Sequence, residues 1–132
     1  MKVTYHQVTH PAQESLRLLE LRGPSYHCTW HFHPEYQLGL VIKGAGHRIV
    51  GDNIGPLEAG EVSLLGPNLP HAWQFDEPAT RRDRELHCVI VYFTEDFLGA
   101  DFFKRSEAEP IRRLLKRAAV GLQARGKARR AA

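Results

Sequence analysis

Short runs with strand character recur through the first three quarters of the chain, and each is bounded by residues that favour turns. The runs cover residues 16–22, 25–33, 36–43, 47–50, 62–65, 71–75 and 86–93. Residues 51–55, Gly-Asp-Asn-Ile-Gly, contain types that tolerate the positive φ of tight turns, so we expect a reversal between two antiparallel strands there. Residues 76–85 have no apolar period and predict an exposed loop. Many short strands at regular spacing predict an all-β sandwich or barrel.

The pattern changes after residue 93 from the period of a strand to the period of a helix. Apolar residues recur there at i, i+3, i+4 and i+7, with arginine and lysine on the opposite side. The apolar positions are Ile111, Leu114, Leu115, Ala118 and Leu122. Pro110 suits the first turn of a helix, so we expect one amphipathic helix from there to residue 122. Residues 123–132 predict a flexible basic tail.

The length of 132 residues fits one domain with a single hydrophobic core. No run of about 18 apolar residues occurs, and the first residues lack the apolar segment of a signal peptide. These features predict a cytoplasmic protein with no membrane partner. Cys28 and Cys88 do not form a CxxC pair, and we expect both to be buried thiols in a reducing compartment.

The charge is distributed unevenly along the chain. Residues 1–103 hold 8 Lys and Arg against 13 Asp and Glu, a balance of −5, whereas residues 104–132 hold 10 against 2, a balance of +8. The basic segment is either a solvated helix face, which is the commoner case, or a contact for nucleic acid. The residues predict no separate module for reading DNA.

Three histidines stand at positions that can bring their imidazoles together. His31 and His33 alternate on one predicted strand and share a face, and His71 follows a turn signal on another strand. Three neutral imidazoles suit zinc, nickel, copper or iron, and they suit a polar organic ligand equally well. Gln37 lies an even number of residues from His31 and His33, so its side chain should point to the same face as theirs. Trp73 has the parity of the third histidine, and its aromatic face suits a ligand.

Each of these residues also has a plainer interpretation. The imidazoles are consistent with hydrogen-bonding wall residues of a barrel without metal, and Trp73 is consistent with core packing. Glu35 shares the parity of the histidines, but Pro34 is expected to break the strand and turn that carboxylate outward. His47 and Arg48 are adjacent, so only one of them can point inward. The other histidines have no partner at ligand spacing and are expected to be ordinary surface or core residues: His6, His10, His27 and His87.

Two motifs of the chain resemble those of the cupins, which are small β-barrels. The first is a Gly, five residues, His-x-His, three or four residues, Glu, six residues and Gly; the second is a Gly, five residues, Pro-x-Gly, two residues, His, three residues and Asn. The matched positions are His31, His33, Gln37 and Gly44 in the first motif and Gly60 and His71 in the second. The sequence departs from the motifs at Ser25, Gly66, Asn68 and Phe75. It also departs at Gln37, which replaces the carboxylate ligand with a neutral amide that offsets none of a metal's charge.

The chain more closely resembles the N-terminal sensor domain of AraC-type transcriptional regulators, through residues 30–38, 44–52 and 64–73. This resemblance implies a double-stranded β-helix, the cupin jelly-roll barrel, followed by an amphipathic helix. It implies a barrel sensor domain at residues 1–103 and a linker and dimerisation helix at residues 104–122. DNA binding would then require a helix-turn-helix domain, which we expect to be absent from this chain.

The same resemblance implies a chain that senses a small molecule, either a sugar or a small organic acid. The ligand-binding residues would be His31, His33, Gln37, His71 and Trp73. One divalent transition metal, zinc, nickel, iron or copper, would be held by His31, His33, His71 and Gln37, and whether a metal is bound stays open. A homodimer would form through Ile111, Leu114, Leu115 and Ala118, with packing of the helix on its own barrel as the alternative. The competing hypothesis is a metal-dependent cupin enzyme, a dioxygenase or isomerase, that uses the three histidines.

Overall fold

A computed structural model describes residues 3–8, 16–23, 27–76 and 86–124 of the chain. The strands, in chain order, are β1 (Thr4–Tyr5), β2 (Leu16–Gly23), β3 (His27–Phe32), β4 (Tyr36–Lys43), β5 (Gly46–Val50), β6 (Asn53–Leu57), β7 (Val62–Leu65), β8 (His71–Phe75), β9 (Leu86–Phe93) and β10 (Leu122–Ala124). Between β9 and β10 lie the helix α1 (Glu109–Arg117) and short 3-10 turns at Phe102–Lys104, Ser106–Ala108 and Ala118–Val120.

The strands form two five-stranded sheets. The first sheet has the order β1-β3-β8-β5-β6, and the second has the order β10-β7-β4-β9-β2. The pairing is antiparallel except between β1 and β3, which run parallel. The prediction of an all-β fold with a C-terminal helix is confirmed.

The hydrophobic core lies between the two sheets. Along β9 every second residue is buried, as expected for a strand with one face in the core. Trp73 and Phe75 from the first sheet belong to the same buried cluster as Cys88 and Ile90 from the second. The Cys88 thiol is buried as predicted, and this burial raises its pKa to about 11. The side chain of Cys28 lies outside the described part of the chain.

The reversal predicted at residues 51–55 is confirmed as the link between two antiparallel strands, but it is shorter than expected. Val50 pairs with Asn53, so β6 begins directly after a two-residue turn. Gly55 and Pro56 obscure this strand in the sequence, because both residue types are depleted from strands. Since β6 is an edge strand, its proline costs the sheet no ladder hydrogen bond.

The helix predicted over residues 110–122 was wrong at its C-terminal end. α1 ends at Arg117, and the following 3-10 turn leads to Gly121, whose φ of 83° takes the chain out of helical geometry. Residues 122–124 then form β10 and pair with β7, although residues 123 and 124 were predicted as flexible tail. The apolar side chain of Leu122 packs against the cluster around Tyr36, which accounts for the return of the chain to the sheet.

Some predictions fall on residues that the structure does not describe. These are the greater part of the predicted loop, residues 77–85, the remainder of the predicted tail, residues 125–132, and His10. The proposed boundaries at residues 103 and 122 stay predictions. In the described residues no helix has the length and apolar character needed to span a membrane, since α1 has nine residues.

Candidate metal and ligand site

The structure brings four of the predicted site residues together inside the barrel. His31 lies on β3, His33 follows the end of that strand, and His71 begins β8. His31 and His71 are partners in the β3–β8 pairing, and Gln37 reaches the same point from β4 in the other sheet. One ligand atom from each imidazole lies within 4.8 Å of the others. We call His31, His33, His71 and Gln37 the histidine cluster; all four are buried.

The imidazoles of the histidine cluster are held in one orientation by the backbone. Nδ1 of His31 lies 2.5 Å from the carbonyl oxygen of Thr29, and Nδ1 of His71 lies 2.8 Å from that of Leu69. Nδ1 of His33 lies 3.1 Å from the carbonyl oxygen of Glu35. A carbonyl can only accept a hydrogen bond, so each Nδ1 carries the proton and donates it. In a neutral imidazole this leaves the lone pair on Nε2.

The Gln37 amide lies between two of these lone pairs. Its Oε1 is 3.0 Å from Nε2 of His33 and 3.1 Å from Nε2 of His71. An oxygen and a nitrogen lone pair do not form a hydrogen bond with each other. Two arrangements satisfy these atoms: a cation shared by the lone pairs, or an amide turned by 180° so that its NH2 group donates to both imidazoles.

Burial keeps the imidazoles neutral. It lowers the pKa of His31 and His33, and it lowers the pKa of His71 to about 3. The hydrogen bonds at Nδ1 oppose this effect only in part, and the neighbouring imidazoles add to the lowering for His31 and His71. Neutral imidazole is the form that binds transition metals.

The donor set of the histidine cluster fits a divalent transition ion. Ligand atoms bound at about 2.1 Å to one ion are about 3.0 Å apart at octahedral angles and about 3.4 Å apart at tetrahedral angles. The separations of 3.0 and 3.1 Å between the Gln37 oxygen and the two imidazole nitrogens match that range. Nitrogen donors of this type suit zinc, copper, iron and nickel. Each ring also donates its other N–H to a carbonyl, an arrangement typical of metal-binding histidines.

Glu35 is buried, so the prediction that Pro34 turns it outward was wrong. Its side chain folds back beside the ring of His33, where Oε1 lies 3.9 Å from Nδ1. That oxygen has no hydrogen-bond partner among the described residues. Because it faces Nδ1 and not Nε2, Glu35 is not placed as a ligand in the histidine cluster. Pro34 is exposed in the bend between β3 and β4, and the bend carries the next side chain inward.

His6 is the residue of this region that the sequence argument missed. Its ring centroid lies 5.3 Å from that of His31 and 6.2 Å from that of His33. The signal was weak, because β1 has only two residues and His6 is separated from His31 by more than twenty positions. Only the parallel pairing of β1 with β3 brings them together.

A second buried polar group occupies the part of the barrel near β5, β7 and β10. We call Arg48 and Glu61, which are buried, and Gln123, which is half-buried, the arginine cluster. Nη1 of Arg48 donates to Oε1 of Glu61 at 2.5 Å and to the carbonyl oxygen of Pro56. Nη2 donates to Oε1 of Gln123 at 2.7 Å. Of the two adjacent candidates, Arg48 therefore points inward and His47 is exposed.

Trp73 is buried in the core beside Phe75, with ring centroids 6.4 Å apart. Its ring packs against Gly39, where a Cβ atom would come within 2.7 Å of it. Trp73 also borders a cavity of about 420 Å³ together with Arg48 and Ser63. These contacts describe a packing role, and the ligand contact predicted for Trp73 stays a prediction.

The apolar face formed by α1 and the 3-10 turn that follows it divides into two parts. Leu115 and Ala118 are buried against Tyr36 of the same chain, which is the alternative noted for this helix. Ile111 and Leu114 are exposed by 43% and 45%. They border an apolar groove with Leu38 of the second sheet. The predicted dimer interface therefore contains two residues that already have partners within the chain.

Comparison with solved structures supports the fold. A cupin 2 conserved barrel domain protein from Salinispora arenicola aligns with a TM-score of 0.51 and 17% identity, covering 69% of this chain and 74% of that one. AerE from Microcystis aeruginosa aligns with a TM-score of 0.50 and 21% identity, covering 61% and 37%. Oxalate decarboxylase OxdC from Bacillus subtilis, a protein with Mn(II) centres, aligns with a TM-score of 0.50 and 21% identity. The alignment covers 61% of this chain and 22% of that one. The aligned part is thus about a fifth of OxdC. These similarities confirm the predicted cupin barrel.

No curated protein matches the chain. The model of the AraC-like ligand binding domain, in contrast, matches residues 15–129, which include the strands β2 to β10 and α1. The histidine cluster lies within the matched residues, whereas His6 lies before them. The chain belongs to the family of AraC-like ligand binding domains.

Proposed function

We propose that this chain is the effector-binding domain of an AraC-type transcriptional regulator and that the histidine cluster is its effector site. The observation that carries the proposal is the convergence of three imidazoles inside the barrel, with one ligand atom of each within 4.8 Å of the others and each ring fixed through Nδ1. The family membership supports a ligand-binding role. DNA binding would belong to a helix-turn-helix domain outside this sequence.

One divalent transition ion, zinc, nickel, iron or copper, would be held by His31, His33, His71 and Gln37. The lone pairs of His33 and His71 lie against the Gln37 oxygen in the present amide orientation, and a cation would satisfy these three atoms together. When bound, the ion would supply a positive centre that attracts oxygen ligands.

The donor set also bears on the class of effector. The predicted effectors are a sugar and a small organic acid. Because all four donors are neutral, a bound ion would keep its full double charge, and a carboxylate gains more from that charge than a hydroxyl does. We therefore favour a small organic acid.

The first test is elemental analysis by plasma mass spectrometry on protein without an affinity tag. Wild type should carry a transition metal near one equivalent, and His31→Ala/His33→Ala should carry none while circular dichroism shows that it is folded. A metal-free wild type that takes up no added zinc or nickel would exclude the metal centre. A thermal-shift screen of organic acids and sugars would then test the cluster as a purely organic site.

A metal-dependent dioxygenase or isomerase is the competing function. The same four residues could hold a catalytic ion, whereas the family membership supports a regulatory role. Turnover of cupin substrates by the iron- or nickel-loaded protein, lost in His33→Ala, would overturn the regulatory proposal. Binding of an organic acid without its conversion would support it.

We further propose a homodimer that uses the exposed part of the α1 face. Ile111 and Leu114 expose apolar surface next to the groove on the second sheet, and an identical copy offers the same apolar surface for mutual burial. Leu114→Arg should convert a dimer to a monomer in light scattering, with exposed Arg113→Ala as the control. Leu115→Arg is unsuitable because Leu115 is buried in its own chain. A wild-type monomer at high concentration would exclude this interface.

A further inference from the structure

We propose that His6 is an additional ligand of the metal bound by the histidine cluster, so that the metal also holds the N-terminal strand β1 in place. The inference rests on the proposed metal centre. It concerns the same class of ion, a divalent transition metal that prefers imidazole nitrogen. It goes beyond the cupin motif, which begins after this strand, and beyond the residues matched by the family model.

The backbone places His6 on the correct face of the first sheet. β1 pairs in parallel with β3, with Thr4 opposite His31 and Tyr5 opposite Phe32. The N–H of His6 donates to the carbonyl oxygen of Phe32 at 2.8 Å, which continues the pairing by one residue. Alternation along the strand puts Tyr5 on the outer face, where its ring contacts Phe32. His6 therefore shares the inward face with the histidines of the cluster.

The ring spacing of His6 is close to the spacing within the cluster. The centroids of His31, His33 and His71 are 4.3 to 5.7 Å apart. His6 lies 5.3 Å from His31, inside that range, and 6.2 Å from His33, slightly outside it. Since His6 is exposed, its ring can change rotamer rapidly to approach a bound ion.

The chemistry of the cluster gives an additional imidazole a specific role. Gln37 stands where the cupin motif has a carboxylate. The four buried residues of the cluster should therefore bind a metal less tightly than three histidines with a carboxylate do. A fourth nitrogen donor would add a strong metal bond that offsets the weaker amide ligand, but it would not supply the negative charge of a carboxylate. If His6 binds the metal, the metal should also order β1, because the free energy of metal binding then contributes to the free energy of ordering the strand.

The test is a zinc titration of protein without an affinity tag, read through competition with a chromophoric chelator. His6→Ala and His6→Phe should both raise the dissociation constant at least tenfold. Phe keeps a ring beside His31 but has no donor, so it separates ligation from packing. His6→Cys supplies a thiolate ligand and should recover much of the affinity. The control is His47→Ala, an exposed histidine of the same sheet, which should remain within twofold of wild type.

A second measurement follows the strand itself. Zinc should slow amide hydrogen exchange in residues 3–8 of wild type and should not do so in His6→Phe. Cobalt should give the same ranking of variants, and its absorption spectrum should change in His6→Phe relative to His47→Ala because one nitrogen ligand is lost.

The outcomes separate this inference from the proposed function. If wild type binds no zinc or cobalt, the metal centre fails and His6 has no ion to bind. If wild type binds zinc and His33→Ala does not, while His6→Ala and His6→Phe match wild type, the centre stands and the role of His6 is overturned.

Discussion

The histidine cluster and the arginine cluster are both buried polar groups in one small barrel, yet they are satisfied in opposite ways. In the arginine cluster, the Arg48 guanidinium is matched by the Glu61 carboxylate and by two further oxygens. In the histidine cluster, the imidazole protons are all directed at backbone carbonyls. In the present amide orientation, the lone pairs of His33 and His71 lie against the Gln37 oxygen.

From this difference we expect the arginine cluster to serve the stability of the fold and the histidine cluster to serve binding. A buried charge paired within its own chain stabilises one arrangement and needs no further partner. The lone pairs of His33 and His71 instead need a cation or a hydrogen-bond donor, which either a bound ion or the turned Gln37 amide would supply. The predictions below test this division.

The largest effect is expected for the arginine cluster. Glu61→Ala leaves the buried Arg48 guanidinium without its counter-charge, which costs about 3–5 kcal/mol in the free energy of unfolding. It also removes the acceptor of the Glu58 N–H. Urea denaturation measures the loss, and exposed Glu58→Ala on the same turn is the control. A loss below about 1 kcal/mol would show that the pair is not a structural requirement.

The histidine cluster should respond to metal and tolerate substitution better. Zinc at a free concentration of about 100 times its dissociation constant should stabilise wild type by about 2.7 kcal/mol. His33→Ala should lose this gain and still fold without metal. Thermal denaturation with and without zinc, each buffered by a chelator, gives the comparison. An equal zinc gain in His33→Ala would place the ion elsewhere.

Acid should destabilise the metal-free protein through the same cluster. The pKa of His71 is about 3 in the folded chain, against about 6.5 unfolded, so the unfolded state binds the proton first. This group costs the fold nothing well above pH 6.5, and it destabilises the fold increasingly as the pH falls towards 3. Between pH 6.5 and pH 5 this one group costs about 1.5 kcal/mol.

Urea denaturation across that pH range tests whether the free energy of unfolding falls as the pH is lowered. His71→Gln should show a shallower fall in the free energy of unfolding than wild type, whatever its stability at pH 7. Exposed His47→Ala should keep the wild-type slope. A steeper fall in His71→Gln would contradict the assignment.

The smallest effect is expected where the arginine cluster meets β10. Gln123→Ala removes one hydrogen bond from Arg48 and leaves the pair with Glu61 intact, so we expect a loss of about 1 kcal/mol. Exposed Gln74→Ala is the control for removing an amide. If Gln123→Ala lowered the free energy of unfolding as much as Glu61→Ala does, the Gln123 amide would be as important for the position of Arg48 as the ion pair with Glu61.

Much of the fold could be read from local patterns. Strand alternation and turn residues located seven of the strands to within a few residues, because burial on one face imposes a period of two. The strands that escaped detection lack that signal. β1 has two residues, β6 contains Gly55 and Pro56, and β10 continues a segment whose apolar spacing is helical.

The histidine cluster was predictable for a related reason. His31 and His33 share a strand face, Gln37 alternates in step with them along the chain, and His71 follows a turn signal at the start of another predicted strand. Glu35 was not predictable, because the direction of a side chain within a bend depends on the packing that follows it. The convergence of the four side chains is now a structural observation, and their binding of a ligand or metal stays a prediction.

The sequence by itself determined an all-β barrel with a terminal helix, its family, and the residue types of one site, since periodicity and motif spacing are properties of neighbouring residues. Only the tertiary structure decided that His6 lies beside the cluster and that Arg48 finds Glu61 and Gln123. It also decided that Leu115 packs on its own barrel. Each of these contacts joins segments distant in the chain, and their meeting depends on strand order and register.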